Sequence, residues 1–147
     1  MLAGAAERAV VIDASVALAW CFPDEGSDYA DRVLVELSQH SILVPSVWTL
    51  EVGNGVLVGE RRKRLGQQEI VRFAALLENL PIVEDVQPVG PHMLAVLPLA
   101  HRYGLSAYDA AYLELSVRHG VPLATLDEKL RRAARSAGTA VFALKHS

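Results

Sequence analysis

The sequence predicts an α/β/α sandwich, with a central, mostly parallel sheet and helices on both of its faces. Three observations predict it. Short runs rich in β-branched residues alternate with longer segments whose apolar residues recur at helical spacing. Those short runs show no polar alternation, as expected of strands buried on both faces. And two of the runs end on an acid, Asp13 after "VVI" and Asp127 after "LATL". In open parallel sheets, sites lie beyond the carboxyl ends of the strands.

The elements follow in order. Residues 9–14, "AVVIDA", read as the first strand, and 15–22, "SVALAWCF", as a short helix stopped by Pro23. Residues 24–40 carry Tyr29, Val33, Leu34 and Leu37 at helical spacing. "SILV" at 41–44 is a second strand. Pro45 and Ser46 open a helix running to about Arg62, with Ser46 the expected N-cap. Residues 66–80 place Ile70, Phe73, Leu76, Leu77 and Leu80 on one helical side. "PIVEDV" at 81–86 is a third strand. Residues 90–104 form a helix that Pro98 can bend and Gly104 ends. Residues 106–120 form the next helix, stopped by Gly120. "PLATL" at 122–126 is a fourth strand, 127–138 a helix ending at Gly138, and 140–144 a last strand.

The chain has 147 residues, which suits one domain spanning 1–147. With 52% hydrophobic and 21% charged residues it is a folding sequence rather than a disordered one. A mean hydropathy of +0.25 fits either a generous core or an apolar surface that meets a partner. The net charge of −3 excludes a protein that coats nucleic acid through bulk charge, so any such contact is local. Cys21 is the only cysteine, which excludes an internal disulfide and reads as a buried, inert thiol in a reducing compartment. The longest apolar stretch, 9–22, is too short for a membrane span and holds Asp13. The first nine residues lack the pattern of a signal peptide, so the expected location is cytoplasmic.

Four acids stand out by position. Asp13 and Asp127 follow strands. Glu51 lies in a helix among Val47, Trp48, Leu50 and Val52, with no Lys or Arg three or four residues away. Asp109 opens another largely apolar helix. Three have a plain structural reading as well. Asp13 and Asp127 can cap the helices they precede, and Ser106 to Asp109 fits a capping box. Glu51 lies too deep in its helix for a cap. Two strand-end acids should share one crevice, and two helices starting near the same sheet edge can each add another. Crowded carboxylates raise one another's pKa, a penalty that a divalent cation removes. An oxygen-only set with no His or Cys suits Mg²⁺ or Mn²⁺, whose usual service is phosphoryl chemistry.

The segments "VVIDASVALAWCFPDE", "VPSVWTLEVGNGVL", "YGLSAYDAAYLEL" and "LATLDEKLRRAA" resemble the PIN-domain ribonucleases, in particular the VapC-type toxins of bacterial toxin–antitoxin pairs. The resemblance runs from about residue 9 to 143 with the motifs in family order. It implies a PIN-like fold and an acidic quartet at Asp13, Glu51, Asp109 and Asp127, with Asp13, Asp109 and Asp127 as metal ligands. Ser15 and Thr125 match the hydroxyls that often accompany the first and last acids, and Asn54, one turn from Glu51, is a further supporting candidate. It also implies a Mg²⁺- or Mn²⁺-dependent endoribonuclease that dimerises and is inhibited by a VapB-type antitoxin. Gly53 and Gly55 depart from the family, which more often has Ala there, so a loosened helix or a close packing partner is expected. The alternatives are a module that only binds a partner, or another acidic-site phosphohydrolase. A dehalogenase-like phosphatase would want an acid where Ser15 stands.

Two basic groups qualify as phosphate contacts: "ERRKR" at 60–64, which suits a solvated helix end better, and Arg131, Arg132 and Arg135. The five His residues show no metal-ligand spacing, and Trp20 and Trp48 read as core or dimer residues.

Overall fold

The computed structural model describes residues 8–143. Among these residues four parallel strands form one sheet in the order β3-β2-β1-β4: β1 Ala9–Ile12, β2 Ser41–Pro45, β3 Ile82–Asp85 and β4 Leu123–Ala124. Val10 lies opposite Ile42, Leu43 opposite Val83, and Ile12 opposite Ala124. Val10, Val11 and Ile12 are fully buried, which is why β1 shows no polar alternation. Each such side chain contributes about 1.5–3 kcal/mol through its removal from water.

Among the described residues, seven α-helices flank the sheet and complete the three-layer α/β/α sandwich: α1 Ala14–Cys21, α2 Asp28–Glu36, α3 Val47–Arg61, α4 Gln67–Glu78, α5 Val89–Tyr103, α6 Ala107–His119 and α7 Glu128–Ser136. Helix α6 packs across β2, β1 and β4, with α5 and α7 against it, while α1 packs against α2, α3 and α4. Trp20 ties α1 to α2 by donating from Nε1 to the Ala30 carbonyl at 2.8 Å. Trp48 is buried in the core, its Nε1 without a hydrogen-bond partner among the described residues.

The structure departs from the sequence expectations in four places. The helix expected over 24–40 is broken: a 3₁₀ turn at Pro23–Glu25 precedes α2, whose N-terminus is capped by the Ser27 hydroxyl. Ser46 is not a side-chain cap, because the chain leaves Pro45 directly into helical dihedrals and Ser46 already has φ −59° and ψ −26°. The strand expected over 122–126 shortens to Leu123–Ala124 because the next backbone N–H groups go to side chains instead. Leu126 N–H donates to Ser15 Oγ and Asp127 N–H to Thr125 Oγ1, each at 3.0 Å. Of the strand expected over 140–144, the described residues form one parallel bridge, Val141 to Leu123, and residue 144 lies outside them. Helix α5 continues through Pro98, and α5 and α6 both end on left-handed glycines, Gly104 and Gly120, as expected.

The α3 glycines divide in two. A Cβ on Gly55 would stand 2.6 Å from the Leu18 methyls, and one on Gly59 2.5 Å from the Phe22 ring, so both allow α1 to approach closely. Gly53 faces open space.

Candidate active site

The strand order reverses beside β1. The chain goes outward from β1 to β2 and β3, then returns to place β4 on the other side of β1. A crevice at the carboxyl ends of β1 and β4 is therefore the place where a parallel sheet can seat a ligand. Asp13 follows β1 and Thr125 to Asp127 follow β4, so the topology brings both strand-end acids to this edge.

Asp13 is buried, at 5% exposure. Its Oδ1 accepts from Ser15 Oγ at 2.6 Å and from the Val16 N–H at 3.3 Å, which makes it the N-cap of α1. Its Oδ2 accepts from Thr125 Oγ1. Burial pushes its pKa up to about 6, the two hydroxyls and the N–H oppose that rise, and the charge of Asp109 adds to it. Asp109 is half-buried at the start of α6, where its N–H donates to the Ser106 hydroxyl at 3.0 Å. Burial, and then the charge of Asp127, raise the Asp109 pKa. Asp127 caps α7, its Oδ1 accepting from Lys129 N–H at 2.9 Å and Leu130 N–H at 3.4 Å. The plain capping readings therefore hold for Asp13, Asp127 and Ser106. The three aspartates also feel one another's charge: Asp13 with Asp109, and Asp109 with Asp127.

Glu51 on α3 joins them through a residue that the sequence reading missed. Tyr112, buried on α6 one turn beyond Asp109, donates its hydroxyl to Glu51 Oε1 at 2.5 Å. Burial, the bond to Glu51 and the charges of Glu51, Asp13 and Asp109 all raise its pKa and keep it a neutral donor. Its i+3 spacing from Asp109 was the available signal, but a tyrosine at that spacing also suits a core position.

No Lys, Arg or His among the described residues forms an ion pair with any of the four acids. Arg131 stands nearby, donating from Nε to the Thr125 carbonyl at 2.8 Å with its guanidinium 4.4 Å from the Tyr29 ring centroid. Asn54 is exposed on α3 and bonds to none of the acids. Arg64 of the 60–64 basic run is engaged, packed 4.6 Å over Phe22 and paired with Asp24 at 3.4 Å, while residues 61–63 are exposed. Cys21 is a buried free thiol whose pKa burial raises.

As the carboxylates are oriented, no three His, Cys, Asp or Glu side chains among the described residues are grouped closely enough to hold a metal ion. The donor set is nevertheless suited to a hard divalent cation. It is oxygen only, Asp127 Oδ2 takes no protein donor among the described residues, and burial disfavours Asp13 and Asp109 as bare anions.

The chain belongs to the PIN-domain family: the PIN-domain model matches residues 10–136. Among individual proteins it is similar to Ribonuclease VapC3 of Pyrobaculum aerophilum, 29% identical over 121 residues that make up 82% of this chain and 91% of that one. Its fold is also that of PAE2754 from Pyrobaculum aerophilum, with a TM-score of 0.65 and 24% identity over 88% of this chain and 82% of that one. FitAcB from Neisseria gonorrhoeae superposes with a TM-score of 0.60 at 18% identity, covering 90% and 96% of the two chains.

Proposed function

We propose that the chain is a Mg²⁺- or Mn²⁺-dependent endoribonuclease, the toxin of a VapBC-type pair, folded as one PIN domain over 1–147. One observation carries the reading: at the switch point of the sheet, Asp13 is buried against hydroxyls with no cation paired to it among the described residues, in the field of Asp109. The choice of RNA rests on the similarity to Ribonuclease VapC3.

Asp13, Asp109 and Asp127 would hold the ion, which when bound neutralises charge at the phosphate and makes water a better nucleophile. The protein's own groups do the positioning. Ser15 and Thr125 fix both oxygens of Asp13 through their hydroxyls. Glu51 would complete the shell around the ion or position the attacking water. Arg131, steadied by Tyr29 and the Thr125 carbonyl, offers its guanidinium to a phosphate. Water rather than a ribose 2′-hydroxyl attacks, so the products carry a 5′-phosphate and a 3′-hydroxyl. A VapB-type antitoxin and a second copy of the chain are the protein partners, and Val89, Met93, Leu94 and Tyr108 expose apolar surface that such partners can cover. No helix among the described residues is long and apolar enough to cross a membrane, and the cytoplasm is the location that goes with this reading.

The test is cleavage of total cellular RNA with Mg²⁺, with Mn²⁺ and with chelator, comparing wild type with Asp109→Asn and mapping the ends. Metal-dependent cuts that the variant loses, with 5′-phosphate ends, support the reading. Cyclic 2′,3′-phosphate ends, or equal cleavage by both proteins, overturn the mechanism, and silence from both turns the weight to a partner-binding module.

A further inference from the structure

Tyr112 has a bond that packing alone does not demand. A buried phenol must give its proton to an acceptor, and a backbone carbonyl suffices, as when Tyr29 donates to the Phe142 carbonyl at 2.7 Å. Tyr112 instead donates across two helices to a carboxylate 61 residues away in sequence. The acceptor, Glu51, is only partly buried, and among the described residues no donor engages its other oxygen. Tyr112 stands one turn beyond Asp109 on α6, and the charges of Asp13 and Asp109 both reach the phenol, so this bond is made beside the acidic crevice.

We propose that Tyr112 is a positioning residue for Glu51: its O–H fixes Oε1 and leaves Oε2 presented to the crevice shared with Asp13 and Asp109. Tyr112 touches no substrate and acts through Glu51 alone. The assignment rests on the ribonuclease reading for what Oε2 then does, but the geometry that carries it is the hydrogen bond itself. Phe at this position keeps the ring and its packing and removes only the donor.

The experiment uses the full chain as wild type, Tyr112→Phe, Glu51→Gln and the double variant. Two quantities are read: kcat and KM for RNA cleavage, and the Mn²⁺ dissociation constant by electron paramagnetic resonance without RNA. Melting temperatures confirm that all four are folded at the assay temperature. In the wild-type background, Tyr112→Phe should lower kcat about tenfold and leave KM near its value, in line with losing one hydrogen bond to a charged group. It should also weaken Mn²⁺ binding severalfold. In the Glu51→Gln background both effects should vanish, because the residue through which Tyr112 acts is already disabled. Equal losses in both backgrounds, or a lower melting temperature with kcat and Mn²⁺ affinity unchanged, would make Tyr112 an ordinary core tyrosine and overturn the proposal. Failure of the ribonuclease reading looks different, because wild type then shows no metal-dependent cleavage that Asp109→Asn abolishes. The Mn²⁺ cycle still decides in that case: coupling to Glu51 upholds the positioning role at an acidic centre of other activity, and additivity or no binding overturns it.

Discussion

Two acidic regions of this molecule solve the problem of buried carboxylates in opposite ways. At the end of β3, Asp85 is bonded by Arg118 at 2.5 Å, and the same guanidinium donates from Nε to the buried Glu114 at 2.8 Å. His92 lies 3.8 Å from Glu114 and His119 3.6 Å from Asp85. Arg118 holds the Asp85 carboxyl below its usual range, and the two acids raise the Arg118 pKa. In the crevice beside β1 and β4, hydroxyls, backbone N–H groups and a phenol take the place of that arginine, and burial pushes Asp13 up to about 6. The first arrangement is complete in itself and joins α6 to the sheet edge. The second leaves negative charge under-compensated at the place where a parallel sheet seats ligands, which is where perturbed groups mark function.

The contrast breaks if the two regions respond alike to neutralising an acid. Asp13→Asn should lower RNA cleavage at least about 1000-fold, the scale expected when a group acting as part of a unit is removed. The same variant, free of metal at pH 7, should melt no lower than wild type, because it removes a buried charge that has no ionic partner among the described residues. Glu114→Gln should do the reverse. Taking one partner from a buried pair costs about 3–5 kcal/mol, and partial exposure of Arg118 reduces that to about 2–3 kcal/mol here. Its kcat should stay within about a factor of two of wild type, since no acid of the crevice loses a bond. Denaturant melts alongside cleavage rates measure both, and a Glu114→Gln variant as inactive as Asp13→Asn would erase the distinction.

The regions should also carry opposite pH signatures. Asp13 has a folded pKa of about 6, above an unfolded value of about 4, so the folded state binds the extra proton between them. Its contribution is present below about pH 4 and is lost as pH rises through 6, a change on the order of 2–3 kcal/mol. The Asp85 pKa is lowered, so its contribution is present above its unfolded value and is lost as pH falls through the folded one. Chelated protein melted from pH 3 to 8 should therefore lose the decline between 4 and 6 in Asp13→Asn and the acid-side loss in Asp85→Asn. Mn²⁺ at pH 7 should restore the stability that ionised Asp13 removes, and no response to Mn²⁺ would argue against a cation at this crevice.

The crevice was the more legible of the two regions. Its acids follow strands or stand in apolar helices, positions that a linear reading can flag, and the parallel sheet could be read from unalternated runs such as "VVI". Partnerships across the chain were not legible. Tyr112 with Glu51, and Arg118 with Asp85, join helices and strands whose relative placement only the packed sheet determines. Ser46 misled because cap preference describes residue type, while capping depends on dihedrals that the preceding strand imposes. β4 came out shorter than its apolar run because the crevice takes its last N–H groups. Side-chain acceptors here override local propensity.

The smallest effect separates the charge of the crevice from the helix that carries Glu51. Gly53 and Gly55 flank Asn54 on α3, and composition alone treats them as equal weaknesses. Gly53 has no atom within 4 Å of an added Cβ, so Gly53→Ala should recover helix propensity and stabilise the fold by about 0.5–1 kcal/mol. Gly55→Ala drives its Cβ to 2.6 Å from both Leu18 methyls, and displacing them should offset that gain and leave a net loss of about 1 kcal/mol. Thermal melts of the two variants should move in opposite directions. Gly53→Ala should also leave the pH 4 to 6 decline intact, since it touches neither Asp13 nor its hydroxyl donors. A stabilised Gly53→Ala that also lost the decline would mean that the α3 backbone, rather than the buried charge of Asp13, sets the pH response of the crevice.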